Sequence, residues 1–226
     1  MANPQVHARS SALKFGKRWE DYIEVHAFLD HSKLHYAKAT HRALLHHEFG
    51  KKLAVKIFGT GFGVNRQLSV AQLVDQHFSE DFTRFVPTVT KWFEGSDSSL
   101  RPQMLRKLTV EEQCAESVRH FGGKPEDYRE LHEFIDSITT EIEGAWGITH
   151  STFGLWLVEE CFGYILETRD VPTRTAAEKH ILAEYGAIPS AQDWLSAISI
   201  QPWMYNQASQ LSVELQKCLG LESTGA

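Results

Sequence analysis

Two stretches, FGKRWEDYIEVHAFLD (15–30) and FGGKPEDYRELHEFID (121–136), are versions of one segment placed 106 residues apart, Phe15 against Phe121. Phe15-Gly16 aligns with Phe121-Gly122, Glu20-Asp21-Tyr22 with Glu126-Asp127-Tyr128, and His26, Phe28 and Asp30 with His132, Phe134 and Asp136. Further along, the offset falls to 104 at His46/His150, Phe49/Phe153, Gly50/Gly154, Phe58/Phe162 and Gly59/Gly163. It becomes 103 at His77/His180 and 102 at Pro87/Pro189 and Trp92/Trp194. Ordered matches with small slips mark an internal duplication, which governs the reading of the whole chain. The expected division is a first helical module at 10–95, a linker and helix start at 96–115, a second helical module at 116–198, and a C-terminal helix and tail at 199–226.

Within each copy the apolar periodicity is helical. Tyr22, Val25, Phe28 and Leu29, like Tyr128, Leu131, Phe134 and Ile135, recur at three- and four-residue spacing, so each copy begins with an amphipathic helix. A second helix is expected from about Thr40 to Phe58 and from Thr149 to Phe162, each stopped by a glycine. Deleting two residues from a continuous helix would rotate everything downstream by about 200°. The slip between Asp30 and His46 therefore separates the first helix from the second. Gly61 to Ser69 and Tyr164 to Pro172 read as either a small hairpin or a loop. A third helix opens with capping-box pairs, Ser69/Gln72 and Thr175/Glu178, and Thr109/Glu112 opens the helix leading into copy two. Pro87 and Pro189 begin a short fourth helix carrying the repeated tryptophan, and 203–218 reads as a terminal helix. The fold class is mainly α: two tandem pseudo-repeated helical modules with at most a minor β-hairpin in each. Packed about a pseudo-twofold axis they would mimic a homodimer, with the cleft between copies as the natural ligand site.

Composition narrows the function classes. The chain of 226 residues is 42% hydrophobic and carries a formal net charge of −6, too apolar for a disordered segment and without the basic footprint of a duplex nucleic-acid binder. No apolar run approaches a membrane span, and the start, MANPQVHARSS, lacks the apolar stretch of a secretory signal. Cys114, Cys161 and Cys218 form no metal-finger spacing, so a reducing cytoplasm is the expected location. Walker, GxGxxG, GxSxG and HExxH motifs are absent.

The run His-x-Phe-x-Asp, the segment His41 to His47, Phe58-Gly59, Gln76-His77 with Glu80-Asp81, and Pro87 before Trp92 resemble an uncharacterised small His-rich domain found in bacteria and phages. FGGKPEDY (121–128), His132, Asp136, FG (162–163), VPTR (171–174), HI (180–181), IPSAQDWL (188–195) and QPWM (201–204) resemble it a second time. The resemblance implies two tandem copies of a domain of unknown function and supplies no activity.

Twelve histidines stand out, and six of them are three positions written twice. His26-x3-Asp30, His77-x3-Asp81, His132-x3-Asp136 and His180-x3-Glu184 each place an imidazole and a carboxylate on one helix face. His46 and His150 share a stripe with a glycine four residues on, which would let another helix or a ligand approach. Three helices packed together would gather His26, Asp30, His46, His77 and Asp81, and again His132, Asp136, His150, His180 and Glu184. Neutral imidazoles with carboxylates suit a divalent metal such as zinc, iron or manganese, and a metal-bound water would make hydrolysis of a phosphate ester the simplest chemistry. The same pairs read equally as hydrogen bonds that hold helices together, in which case no cofactor is needed. His41, Arg42 and His47, with Lys33, Lys51, Lys52 and Lys56, suggest a basic surface for a small anionic ligand. A non-catalytic protein sequestering such a ligand or a protein partner is the alternative to a hydrolase, and the sequence leaves enzymatic activity open.

Overall fold

A computed structural model of the chain describes residues 3–62, 68–82, 86–138, 143–167 and 170–204. In chain order it contains α1 (Pro4–Phe15), α2 (Ile23–Asp30), α3 (Glu48–Phe58), β1 (Gly61–Phe62), β2 (Leu68–Ser69), α4 (Val70–Asp81) and α5 (Val89–Phe93). The series then repeats as α6 (Val110–Phe121), α7 (Glu126–Asp136), α8 (Thr152–Phe162), β3 (Ile165–Leu166), β4 (Val171–Pro172), α9 (Thr173–Tyr185) and α10 (Ala191–Leu195). A 3-10 segment precedes α3 at Ala39–Leu44 and α8 at Glu143–Ile148. The protein is thus mainly helical and built from two tandem copies, and each hairpin is a two-stranded antiparallel ladder, Phe62 facing Leu68 and Leu166 facing Val171. No helix among the described residues is long and apolar enough to cross a membrane.

The repeated Phe-Gly…Glu-Asp-Tyr motif is a helix stop followed by a helix start. Gly16 (φ 77°) and Gly122 (φ 74°) end α1 and α6 in a conformation that costs a side chain dearly. Six residues on, the hydroxyls of Tyr22 and Tyr128 donate to the carbonyls of those same glycines, both at 2.9 Å, and lock the turn. α1 and α6 are therefore equivalents, so the structural repeat begins one helix earlier than the helix pairs of the sequence suggest.

Three expectations need correction. The second helix starts at Glu48 and Thr152, later than Thr40 and Thr149, because polar caps interrupt it. His47 accepts from Gly50 N–H at 3.3 Å, and Ser151 accepts from Phe153 and Gly154 N–H. His46 and His150 consequently lie before the helix, in the turn. The space at Gly154 is taken by that turn itself: a Cβ there would stand 2.0 Å from the Thr149 carbonyl oxygen. Finally, Thr175/Glu178 is no capping box, since α9 begins at Thr173 directly from the hairpin, whose Thr173 N–H bonds Tyr164 O at 3.0 Å. The Ser69/Gln72 and Thr109/Glu112 boxes do form. Of the terminal helix expected at 203–218, Trp203 and Met204 lie in a 3-10 turn and 205–218 fall outside the described residues.

The described residues fall into two compact units, drawn from Met1–His31, His46–Pro87 and Ile200–Ala226 for one and from Ser32–Leu45 and Thr88–Ser199 for the other. In the first unit α1 packs on α2 and α4, α2 on α3 and α4, and α3 on α4, around Val25, Leu29, Leu53, Leu73, Val74 and Phe78. In the second, α6 packs on α7 and α9, and α8 on both α7 and α9, around Tyr128, Leu131, Ile135, Leu155, Val158 and Ile181. This second unit also holds α5, which touches both 3-10 segments, as does α10. Gly147 permits the closest of these approaches, since a Cβ on it would meet Trp194 at 2.6 Å.

Gly154→Ala forces the α8 start away from the Thr149 carbonyl, and a steric insertion of this kind costs about 1–3 kcal/mol. Chemical denaturation followed by circular dichroism is expected to show that loss.

Candidate metal centre

Each unit carries four converging donors. Asp30 from the end of α2, His46 from the turn before α3, and His77 and Asp81 from one face of α4 place one ligand atom each within 4.8 Å of all the others. Asp136, His150, His180 and Glu184 do the same in the second unit. Donors ~2.0–2.2 Å from a tetrahedral ion stand about 3.3–3.6 Å apart. In the first group His46 Nε2 lies 3.1 Å from His77 Nε2 and 3.0 Å from Asp81 Oδ2, while His77 Nε2 lies 3.6 Å from Asp81 Oδ2. Asp30 Oδ1 is 3.8 and 3.9 Å from the two imidazoles. In the second group His150 Nε2 is 3.8 Å from Asp136 Oδ1 and 3.4 Å from Glu184 Oε2, and His180 Nε2 is 3.7 and 3.8 Å from the same oxygens. These spacings bracket the tetrahedral edge, so both clusters can hold a metal ion.

His26 and His132 stand one step behind. His26 Nδ1 meets His77 Nδ1 at 3.0 Å, and His132 Nδ1 meets His180 Nδ1 at 2.9 Å. The far nitrogens, His26 Nε2 and His132 Nε2, bond Ser11 Oγ and Ser117 Oγ, each at 2.9 Å. Ser11 Oγ in turn donates to the His7 carbonyl at 3.0 Å. The polarity of this chain follows from its ends. If His180 carried its proton on Nε2, that donor would face carboxylate oxygens at 3.7 and 3.8 Å, beyond hydrogen-bond range. With the proton on Nδ1 it donates to His132, His132 Nε2–H donates to the serine, and the bare Nε2 faces the cluster. Metal-bound histidines are characteristically oriented through their second nitrogen in this way.

Burial keeps these imidazoles uncharged. It pushes His26 down to about 3 and His132 to about 4, and it holds His77 and His180 well below the ordinary histidine value. Burial raises Asp136, opposed by Lys107. It acts to raise Glu184 as well, but His150, the Leu108 N–H and Lys107 together bring that carboxyl below its usual value. Lys107 hydrogen-bonds Asp136 Oδ1, reaches to 3.4 Å from Glu184 Oε1 and lies over the Trp146 ring at 4.8 Å. Trp146 in turn stacks on His150.

His41, Arg42 and His47 form no basic surface, because all three are buried. His41 bonds Ser32 Oγ at 2.8 Å and His47 serves as the cap of α3, so two of the three have local structural duties. Lys52 and Lys56 are exposed without them.

Sequence reasoning missed Ser11 and Ser117, although the 106-residue offset that pairs Phe15-Gly16 with Phe121-Gly122 also pairs these serines four positions earlier. It missed Lys107, which carries no repeat signal. It also missed His7, whose place in copy two is taken by Gln113.

Two helical modules, each gathering two imidazoles and two carboxylates behind a histidine–serine relay, define the class of protein. The family described as Domain of unknown function (DUF6915) matches residues 2–101 and again 109–204, and the chain belongs to it as a tandem pair. No curated protein and no solved structure matches the chain.

Ser117→Ala leaves the buried His132 Nε2–H without its acceptor, which costs about 1–3 kcal/mol. A lowered urea midpoint with an unchanged slope is the expected result.

Proposed function

We propose that the protein binds divalent metal, one ion in each four-donor cage. The observation that carries this reading is His180 Nε2, buried and with no hydrogen-bond partner among the described residues. Its other nitrogen is committed to His132, so the bare lone pair is aimed at two carboxylates and a second imidazole. A buried acceptor left in that state costs about 1–3 kcal/mol, and two carboxylates confined beside it repel each other. A dication removes both costs at once. The donors are nitrogen and oxygen without thiolate, a set that suits zinc, iron or manganese.

The metal's chemistry supports hydrolysis as the reaction, because a bound water is acidified towards neutral pH. Zinc held by all four side chains would be a closed site, whereas manganese or iron, which accept more donors, would keep positions for water and substrate. The second reading, capture of a small anion, draws support from Lys107, partly exposed beside the second cage. A cavity of about 510 Å³ lined by Arg101, Trp146 and Tyr185 lies against the rings that pack on His150. The expected occupant is then an anion held by the metal and the ammonium together.

Elemental analysis of protein purified without chelator is expected to find bound metal, and chelation to lower the melting temperature. His180→Gln is expected to reduce the content by one ion per chain. Full metal content in that variant, or none in the wild type, would defeat the proposal. Lys107→Met removes a positive charge from beside the second cage. It is expected to tighten metal binding there by about tenfold, read by competition with a chromogenic chelator.

A further inference from the structure

In the first unit the outer oxygen of Asp81 does not face solvent. It faces His7, an α1 residue that the sequence marks as neither repeated nor paired. His7 is 1% exposed, and its Nε2 lies 3.8 Å from Asp81 Oδ1 with no hydrogen-bond partner among the described residues. Its other nitrogen is taken: Nδ1 meets Glu80 Oε2 at 2.6 Å. Glu80 is itself held, accepting from Ser10 Oγ and from Gln76 Nε2, the latter at 2.7 Å. A carboxylate that fixes one ring nitrogen so that the other points into a cluster is the arrangement of metal-bound histidines. His7 nevertheless stands outside the four-atom cage, which uses the opposite oxygen of Asp81, Oδ2.

We infer that His7 is a further metal ligand and that the first module takes a second divalent ion, held by His7 Nε2 and Asp81 Oδ1 and bridged to the caged ion by the Asp81 carboxylate. The inference rests on the reading of the cages as metal sites. Two protein donors leave most positions of this ion to water or substrate, more than the four-donor cage leaves. Glu80 takes no part in ligation, because its oxygens are occupied by His7, Ser10 and Gln76; it is a positioning residue.

The second module supports the assignment by contrast. Gln113 stands where His7 would be, Ala183 where Glu80 would be, and Lys179 where Gln76 would be. There the outer oxygen of Glu184, Oε1, accepts from Leu108 N–H at 3.0 Å and lies 3.4 Å from Lys107 Nζ. An ammonium thus occupies the flank where the first module presents a bare imidazole nitrogen.

The test uses the full chain, stripped with chelator and brought to equilibrium by dialysis against manganese(II) chloride. Metal is counted per chain and the spectrum recorded by electron paramagnetic resonance. Three manganese ions per chain with an exchange-coupled pair signal are expected. His7→Gln is expected to bind two and to lose the pair signal; Gln113 at the matching position of copy two indicates that the fold tolerates the residue. Glu80→Ala, which copies Ala183, is expected to weaken the same ion by roughly 10–100-fold. Two ions in the wild type, or three retained in His7→Gln, would overturn the inference while leaving the caged sites intact. No bound manganese at all would overturn both.

Discussion

Two carboxylates gathered within a few ångströms inside a protein are the constraint on which each module depends. Ionised together in a poorly solvated interior they repel each other, and each has lost the water that would have stabilised it. The surrounding structure answers with imidazoles that hydrogen-bond without adding charge and, in the second module, with the Lys107 ammonium as well. His26, His77, His132 and His180 are kept neutral by their burial. Their protons run in one direction, away from the carboxylates and out to Ser11 and Ser117. The result is, in each module, a cluster of imidazole nitrogens and carboxylate oxygens that could hold a metal ion.

The helices can be read as the means of holding that arrangement. The last helix of each four-helix set, α4 or α9, contributes an imidazole and a carboxylate one turn apart. The capped turn before α3 or α8 contributes the other imidazole, and the end of α2 or α7 the other carboxylate. The first helix contributes nothing to the four-donor cages; it supplies the serine that ends the relay. Its position is set by the glycine stop and the tyrosine that returns to it, which explains why Phe-Gly…Glu-Asp-Tyr is among the most faithfully repeated stretches. The two copies differ within this frame at one carboxylate, Asp81 against Glu184, and at the cap of the turn, His47 against Ser151, and they differ further around it. The first carries His7, Gln76 and Glu80, whereas the second has Lys107 against its carboxylates and Trp146 against His150.

Much of this was legible beforehand. The duplication, the helical class and the i,i+4 pairing of histidine with carboxylate all follow from spacing, which a helix converts directly into shared faces. Spacing does not say how far along an inward line each side chain stands. His26 and His77 look alike in sequence, yet one faces the cluster and the other backs it. The start of the second helix was misplaced for a local reason: Thr40 and Thr149 look like acceptable openings, but the caps that form are His47 and Ser151, with Gly154 making room for the turn behind them. His41, Arg42 and His47 looked like surface because cationic residues usually are, and their burial depends on neighbours that no local pattern names.

By itself the sequence determined that this is a twice-written helical protein whose histidines and carboxylates recur as positioned pairs. Periodicity and repetition are properties of the chain alone, and a helix translates them without reference to anything distant. Tertiary structure decided which of those residues become donors, which become their supports, and that His7 and Lys107 stand at matching flanks of the two centres. Those outcomes depend on distances between helices far apart in the chain, set by how the packed side chains between them fill space.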